Sequence, residues 1–209
     1  MLLMDMGLLC LAFMLLWKVS NSSLSRDNAL FLSLTLAAII GRIMFAELPN
    51  IQPVSVLILI GGVYLGARRG VAMAILVTLS SNLYLGDGLW TLYQAVGWSM
   101  VAISGALLAK WLSDQHNKLS LSRVALTTFI WGFVFDWWVS LSVLHSLNSS
   151  QFLLYLLQGI PYDLMHAFGN LTFSAWLVPI TNSLLDKYKH PNLQNSSEIS
   201  TPQSLLKMG

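Results

Sequence analysis

The sequence contains little charge and a single cysteine. Charged residues make up 10% of its 209 positions, whereas hydrophobic residues make up 56%. This balance lies outside the range of soluble globular proteins and predicts an integral membrane protein. Cys10 has no second cysteine to pair with, so a disulfide within the chain is excluded. The basic residues are scattered and form no patch that could bind nucleic acid.

Catalytic and nucleotide-binding motifs are also missing. The chain has no Gly-Lys-Ser/Thr phosphate loop, no Gly-x-Ser-x-Gly or His-Glu-x-x-His motif, and no three ligands at metal spacing. We therefore expect no enzyme activity, and no metal or cofactor held by this chain. One alternative stays open, which is an intramembrane enzyme that uses Asp163, His166 or Asp136 as acid and base.

Long apolar runs predict an all-α membrane protein, a six-helix transmembrane bundle. The apolar run at 6–17 predicts an additional short, uncleaved helix. The predicted units are an N-terminal segment and linker at 1–24, a six-helix transmembrane domain at 25–189, and a disordered cytoplasmic tail at 190–209. The six predicted spans lie near 29–48, 51–67, 70–86, 91–112, 124–147 and 153–185.

The positions of the basic residues predict an orientation in the plasma membrane. If the six spans alternate in direction, ten of the eleven Lys and Arg residues lie on one side. The positive-inside rule makes that side the cytoplasm, so the start of the first span and the C-terminus are expected there. The connections around 49–53, 86–91 and 146–151 then face outward, and they contain no Lys or Arg.

Small residues recur every four positions in the first predicted span. Ser33, Ala37 and Gly41 would form one row along a helix. Such a row lets another helix approach closely. It is a candidate docking face for a separate membrane protein. The alternative is that the row only packs helices of this chain against each other.

Polar side chains within the apolar runs are costly in a membrane, which makes them candidates for a functional site. Asp163, His166 and Asn170 are spaced i, i+3 and i+7 and share one helix face. Pro161 just before them predicts a broken helix start with free backbone N–H groups. The alternative is a structural cluster in which Asp163 accepts a hydrogen bond from His166 or pairs with Arg42.

A second group of polar and aromatic residues surrounds the outward ends of the third and fourth spans. It predicts a pocket for a planar or ring-bearing ligand. Asp136 is another acid within a span, and Asn50 and Gln52 belong to an outward connection. The alternative is that these aromatic residues only mark the membrane interface, where Trp and Tyr gather in any membrane protein. The group consists of Asn82, Trp90, Tyr93, Gln94 and Trp98.

Three ordered stretches resemble the substrate-binding S components of energy-coupling factor (ECF) vitamin transporters. The resemblance extends over about residues 29–187 and is greatest to the cobalamin-type branch. Leu89 stands where that family commonly has proline, and Tyr93 stands where it commonly has tryptophan. The stretches are PNIQP at 49–53, SNLYLGDGLWTLYQ at 81–94 and GIPYDLMHAFGN at 159–170.

The resemblance implies a non-catalytic subunit that captures a vitamin, with cobalamin or a precursor favoured, in an outward-facing pocket. Such subunits dock on a transmembrane T subunit that is driven by two cytoplasmic ATPases, so ATP is used by the partners. The family's docking motif corresponds here to Ala37 and Gly41, where Ala-x-x-x-Ala is usual. A structural membrane subunit without its own ligand is the remaining alternative.

Overall fold

The computed structural model describes residues 2–17 and 24–189, and in these residues every regular element is a helix. The prediction of an all-α fold is confirmed. The predicted disordered tail at 190–209 lies outside the described residues, as does most of the predicted linker. The helices are α1 (Leu2–Trp17), α2 (Leu24–Met44), α3 (Val54–Leu85), α4 (Leu89–Leu107), α5 (Ala109–Leu112), α6 (Leu121–Ser140) and α7 (Ser149–Lys189), with a 3₁₀ turn at Leu141–Val143.

Helix α3 consists of two halves that fold back on each other at Gly66. This residue has φ 79° and ψ 167°, a backbone conformation outside the helical region that glycine adopts without a steric penalty. In a straight helix, residues 62 and 70 would be about 12 Å apart. Here a Cβ built on Gly70 would lie 3.3 Å from the Cα of Gly62. The described part of residues 25–189 therefore contains the six predicted long helical segments, and α1 is the additional one.

The hairpin of α3 packs against α4 at backbone distance. A Cβ on Gly62 would lie 2.1 Å from the carbonyl oxygen of Ala102, and a Cβ on Gly105 would lie 2.4 Å from the carbonyl oxygen of Leu59. Real side chains cannot occupy such positions, so glycine is required at both contacts. This close packing buries nearly the whole first half of α3 and makes α3 the centre of the bundle.

Three described helical segments are long and apolar enough to cross a membrane, namely Asp27–Met44, Val54–Leu85 and Leu121–Val143. Apolar side chains also cover the outer surface of the bundle. Examples are Leu32, Leu36 and Ile40 on α2 and Trp176 on α7, each with about half or more of its surface exposed. Large exposed apolar surfaces of this kind face lipid in a membrane protein. The chain is therefore an all-α membrane protein.

The two ends of the bundle differ in charge. At one end, called the basic end below, Arg69 pairs with Asp27 at 2.9 Å and Lys118 pairs with Asp186 at 2.6 Å. The connections at 45–53, 86–88 and 144–148 belong to the opposite end, called the cavity end, where Asn50 reaches the backbone of Tyr162. The polar residues predicted to form a site lie toward this second end.

Candidate functional site

Arg42 lies inside the bundle and organises the polar residues of α3 and α4. Only 6% of its surface is exposed. Its Nη1 donates hydrogen bonds to Ser81 Oγ and, at 2.7 Å, to Asn82 Oδ1, and its Nη2 donates to Gln94 Oε1 at 3.2 Å. The guanidinium carbon lies 4.8 Å from the centroid of the Trp98 ring. Arg42 forms no ion pair with any described carboxylate, so neutral oxygens and an indole ring hold its charge.

The amide of Gln94 is fixed by its neighbours in one orientation. Gln94 Oε1 accepts hydrogen bonds from Arg42 and, at 3.0 Å, from Asn82 Nδ2. Asn82 Nδ2 also donates to Thr91 Oγ1 at 2.7 Å, which ties the end of α3 to the start of α4. Because both bonds to Gln94 use its oxygen, its NH₂ group stays available as a donor.

A chain of hydrogen bonds links the α2–α3 connection to α3, α6 and α7. His166 Nδ1 lies 2.9 Å from Asp136 Oδ1, and His166 Nε2 lies 3.1 Å from Ser55 Oγ. The second oxygen of Asp136 accepts from Asn50 Nδ2 at 3.1 Å. A carboxylate accepts, so His166 Nδ1–H donates to Asp136, and the other ring nitrogen lies within hydrogen-bond distance of the Ser55 hydroxyl. Asn50 has φ 57°, a conformation that asparagine tolerates better than most residues.

Asp163 and Asn170 share a helix face with His166, as predicted, but they have separate partners. Asp163 Oδ2 accepts from the indole N–H of Trp137 at 2.9 Å, and Asn170 Nδ2 donates to the carbonyl oxygen of Thr128 at 2.8 Å. Both predicted pairings of Asp163, with His166 and with Arg42, are wrong. The reason is long-range packing, since α6 brings Asp136 to His166.

The predicted break at Pro161 is also wrong. Helix α7 continues from Ser149 through Pro161 to Lys189. Proline removes only one backbone hydrogen bond, and membrane helices tolerate it where neighbouring helices support the chain. A free helix start is therefore absent from this part of the site.

Two cavities lie next to this network and share part of their walls. The larger has a volume of about 540 Å³ and the narrower about 120 Å³. Both are lined by Asn50, Gln94, Phe135 and Asp136. Trp90, Tyr155, Gln158, Tyr162 and Asp163 are among the residues that line only the larger cavity. Arg42, Gln52, Ser55, Trp98 and His166 are among those that line only the narrower one.

The structure brings eight of the predicted ligand-binding residues to these cavities. The other three lie outside the lining. Asn82 stands behind Gln94, Asn170 is buried between α6 and α7, and the carbonyl oxygen of Tyr93 accepts from Trp138 Nε1 at 2.9 Å. A ligand-binding role stays a prediction for all eleven. The eight are Asn50, Gln52, Trp90, Gln94, Trp98, Asp136, Asp163 and His166.

The small-residue row on α2 is only partly free. Ser33 and Ala37 are exposed on the outer surface of the bundle. Gly41 packs inward, because a Cβ at this position would lie 2.4 Å from Cγ of Pro53. Gly41 therefore packs within this chain, and a docking role for the exposed part of the row stays a prediction.

Several cavity residues escaped the sequence analysis. Tyr155, Gln158 and Tyr162 line the larger cavity from one face of α7. Their spacing of i, i+3 and i+7 is visible in the sequence and predicts a shared face. Ser55 gave no signal, since a lone serine near a helix start is common. Arg42 entered only as a partner for Asp163. Among the described residues, no group of three or more His, Cys, Asp or Glu could hold a metal ion.

The fold and the two cavities define an all-α membrane protein with an internal polar site. The chain belongs to DUF6580, a family of unknown function, and the family model matches residues 22–193. That range includes α2 through α7 and leaves out α1. No curated protein and no solved structure matches the chain.

Proposed function

We propose that this protein is the substrate-binding S component of an ECF-type importer, which captures a vitamin or related micronutrient in its larger cavity. The observation that supports this proposal most is the wall of that cavity. Asn50, Gln94, Asp136 and Asp163 converge there from the α2–α3 connection, α4, α6 and α7, together with Trp90. A pocket of about 540 Å³ that combines apolar walls with a few convergent polar groups suits a small ligand.

The proposed orientation places the cavity end outside the cell and the basic end in the cytoplasm of the plasma membrane. Substrate would then enter from outside. A T subunit would dock on the exposed face of α2 that carries Ser33 and Ala37, and two cytoplasmic ATPases would supply the energy. The resemblance described above favours cobalamin or a precursor as the substrate.

The test is binding by the purified subunit without nucleotide. Titration calorimetry in detergent with cobalamin, its precursors and the other water-soluble vitamins should give heat with at least one compound. Gln94→Ala should weaken that binding up to about tenfold, because one donor to the ligand is lost. Gln115→Ala, a matched change in the exposed connection after α5, should have no effect. No heat with any compound would contradict the proposal and favour a structural subunit.

A second candidate function is acyl transfer by Ser55. Serine hydrolases use a serine nucleophile, a histidine base and an acid that orients the histidine. The same order occurs here, because His166 contacts Ser55 Oγ through Nε2 and Asp136 through Nδ1. Two observations weigh against it. Ser55 is fully buried, and its Oγ also accepts from the indole N–H of Trp98 at 3.3 Å. The narrower cavity, at about 120 Å³, offers little room for an acyl substrate beside it.

A fluorophosphonate probe separates the two functions, because it reacts covalently with activated serines. If the protein is a binding subunit, we expect no labelling of the purified protein. Labelling that disappears in Ser55→Ala and in His166→Ala, but persists in Ser99→Ala on α4, would instead establish a nucleophile. Mass spectrometry of the labelled peptide identifies the modified residue.

A further inference from the structure

Two acidic side chains line the larger cavity. Asp136 and Asp163 both line it, and no Lys, Arg or His is among the described residues that do so. Asp136 uses both oxygens, for His166 and Asn50. Asp163 uses only Oδ2, for the indole of Trp137, and its Oδ1 has no donor in the described chain.

Asp163 is buried and forms no ion pair within 4.0 Å with any Lys, Arg or His of the described residues. Its exposed fraction is 5%, and it lines the larger cavity with one oxygen unpaired. An ionised carboxylate within a membrane helix is costly unless a positive or donor group meets it. The hydrogen bonds of His166 and Arg42 go to other groups, since His166 bonds to Asp136 and Arg42 bonds to neutral oxygens.

The same cavity is lined by aromatic rings. Trp90, Phe135, Tyr155 and Tyr162 contribute to its wall beside Asp163. The faces of such rings carry negative electrostatic potential, and sites that combine them with a carboxylate bind ammonium groups and cationic rings. Flat rings also stack on flat ligands. Charge and shape in this cavity therefore favour the same kind of ligand.

The wall of the narrower cavity combines Asp136 with a cationic side chain. Arg42 lines it and does not line the larger one, and Gln94 belongs to both walls. A ligand that extends from one cavity to the other would meet carboxylates first and a guanidinium beyond them. The positively charged end of such a ligand would therefore stay in the larger cavity, away from Arg42.

We infer that the larger cavity binds a compact ligand with a positively charged, planar ring, held between its aromatic walls with the charge against Asp163. The inference rests on the proposed function, and it specifies a substrate smaller than cobalamin, whose corrin ring and nucleotide loop exceed a cavity of about 540 Å³. A volume of about 540 Å³ lies in the middle of the ~300–1,000 Å³ range of small-molecule pockets, which suits one or two ring systems.

A matched pair of probes isolates the charge. Nicotinamide and 1-methylnicotinamide differ by one methyl group, which makes the ring a permanent cation. We expect 1-methylnicotinamide to bind the purified protein about tenfold more tightly, as measured by calorimetry in detergent. Asp163→Asn keeps the acceptor for Trp137 and removes the charge, so it should abolish this preference. Asp186→Asn at the basic end is the matched control and should retain it.

The same titrations include thiamine as a larger cationic ring, riboflavin as a neutral one and biotin as an anion. Preferential binding of thiamine or 1-methylnicotinamide that depends on Asp163 supports the inference. Equal or tighter binding of a neutral or anionic compound overturns the inference and leaves the proposed function standing. A preference for the cation that survives in Asp163→Asn overturns the role of this residue. Failure of every vitamin and probe to bind overturns both proposals.

Discussion

Replacing Arg42 by methionine tests whether the buried guanidinium holds α2, α3 and α4 together. Methionine is unbranched and uncharged, so it replaces the aliphatic stem of arginine and donates no hydrogen bonds. Gln94 Oε1 would keep its bond from Asn82 Nδ2, and Ser81 would keep its bond to the carbonyl oxygen of Val77. Asn82 Oδ1 would lose its described donor and become a buried acceptor without a partner.

The expected loss of stability follows from the contacts that Arg42→Met removes. An orphaned buried acceptor costs about 1–3 kcal/mol. Loss of the contact between Arg42 and the Trp98 ring adds about 0.5–2 kcal/mol. Removal of an unpaired buried charge acts in the other direction, because desolvation of the guanidinium no longer opposes folding. We therefore expect Arg42→Met to lower the free energy of unfolding by about 2 kcal/mol.

The assay is equilibrium unfolding of the purified protein by a denaturing detergent, followed by circular dichroism. Arg123→Met is the matched control, since Arg123 also combines a hydrogen bond, to the carbonyl oxygen of Trp111, with a ring contact, 5.8 Å from the Trp111 centroid, but is exposed. Surface changes of this kind usually stay within about 0.5 kcal/mol. An Arg42→Met protein as stable as the Arg123→Met control would refute the role assigned to this network.

Two further predictions concern packing and pH. Gly62→Ala should strongly destabilise the bundle in the same assay, because its Cβ would lie 2.1 Å from the carbonyl oxygen of Ala102, whereas Gly7→Ala, with no atom within 4 Å of its Cβ, should not. The backbone N–H of Lys118 donates a hydrogen bond to the Asp114 carboxyl, and this bond is the main cause that lowers the pKa of that carboxyl below 3.8. The backbone N–H of His116 adds to the effect. A lowered carboxyl pKa stabilises the fold above the ordinary value, and this stability is lost as pH falls through the folded pKa. Asp114→Ala should therefore reduce the unfolding temperature at neutral pH, and the difference should shrink at pH values below the lowered pKa; an equal difference at both would contradict this.

The sequence predicted the helices well because their signals are local. Apolar runs of the length of a membrane span gave the six long segments, and the short run at 6–17 gave α1. The reversal at Gly66 lies near the end of the predicted span 51–67, two residues before the predicted connection at Arg68 and Arg69. Exact ends were less predictable, since the 3₁₀ turn and the start of α7 depend on neighbouring helices.

The sequence predicted many of the residues that line the cavities, but it did not predict their hydrogen-bond partners. Asn50, Gln94, Asp136 and Asp163 stood out because polar side chains in apolar runs are costly and need a reason. Their partners could not be read in the same way. Ser55 and His166, for example, meet across 111 positions of sequence, so only the packing of α3 against α7 brings them together.

By itself, the sequence determined that this chain is an all-α membrane protein with a few polar side chains inside the bundle, because hydrophobicity and helical spacing depend on neighbours along the chain. Only the tertiary structure decided that His166 forms a hydrogen bond with Asp136. It also decided that Asp163, which lines the larger cavity, has one oxygen without a hydrogen-bond donor among the described residues. Such choices are made by competition among all donors within hydrogen-bond distance, and that distance is set by how the helices pack.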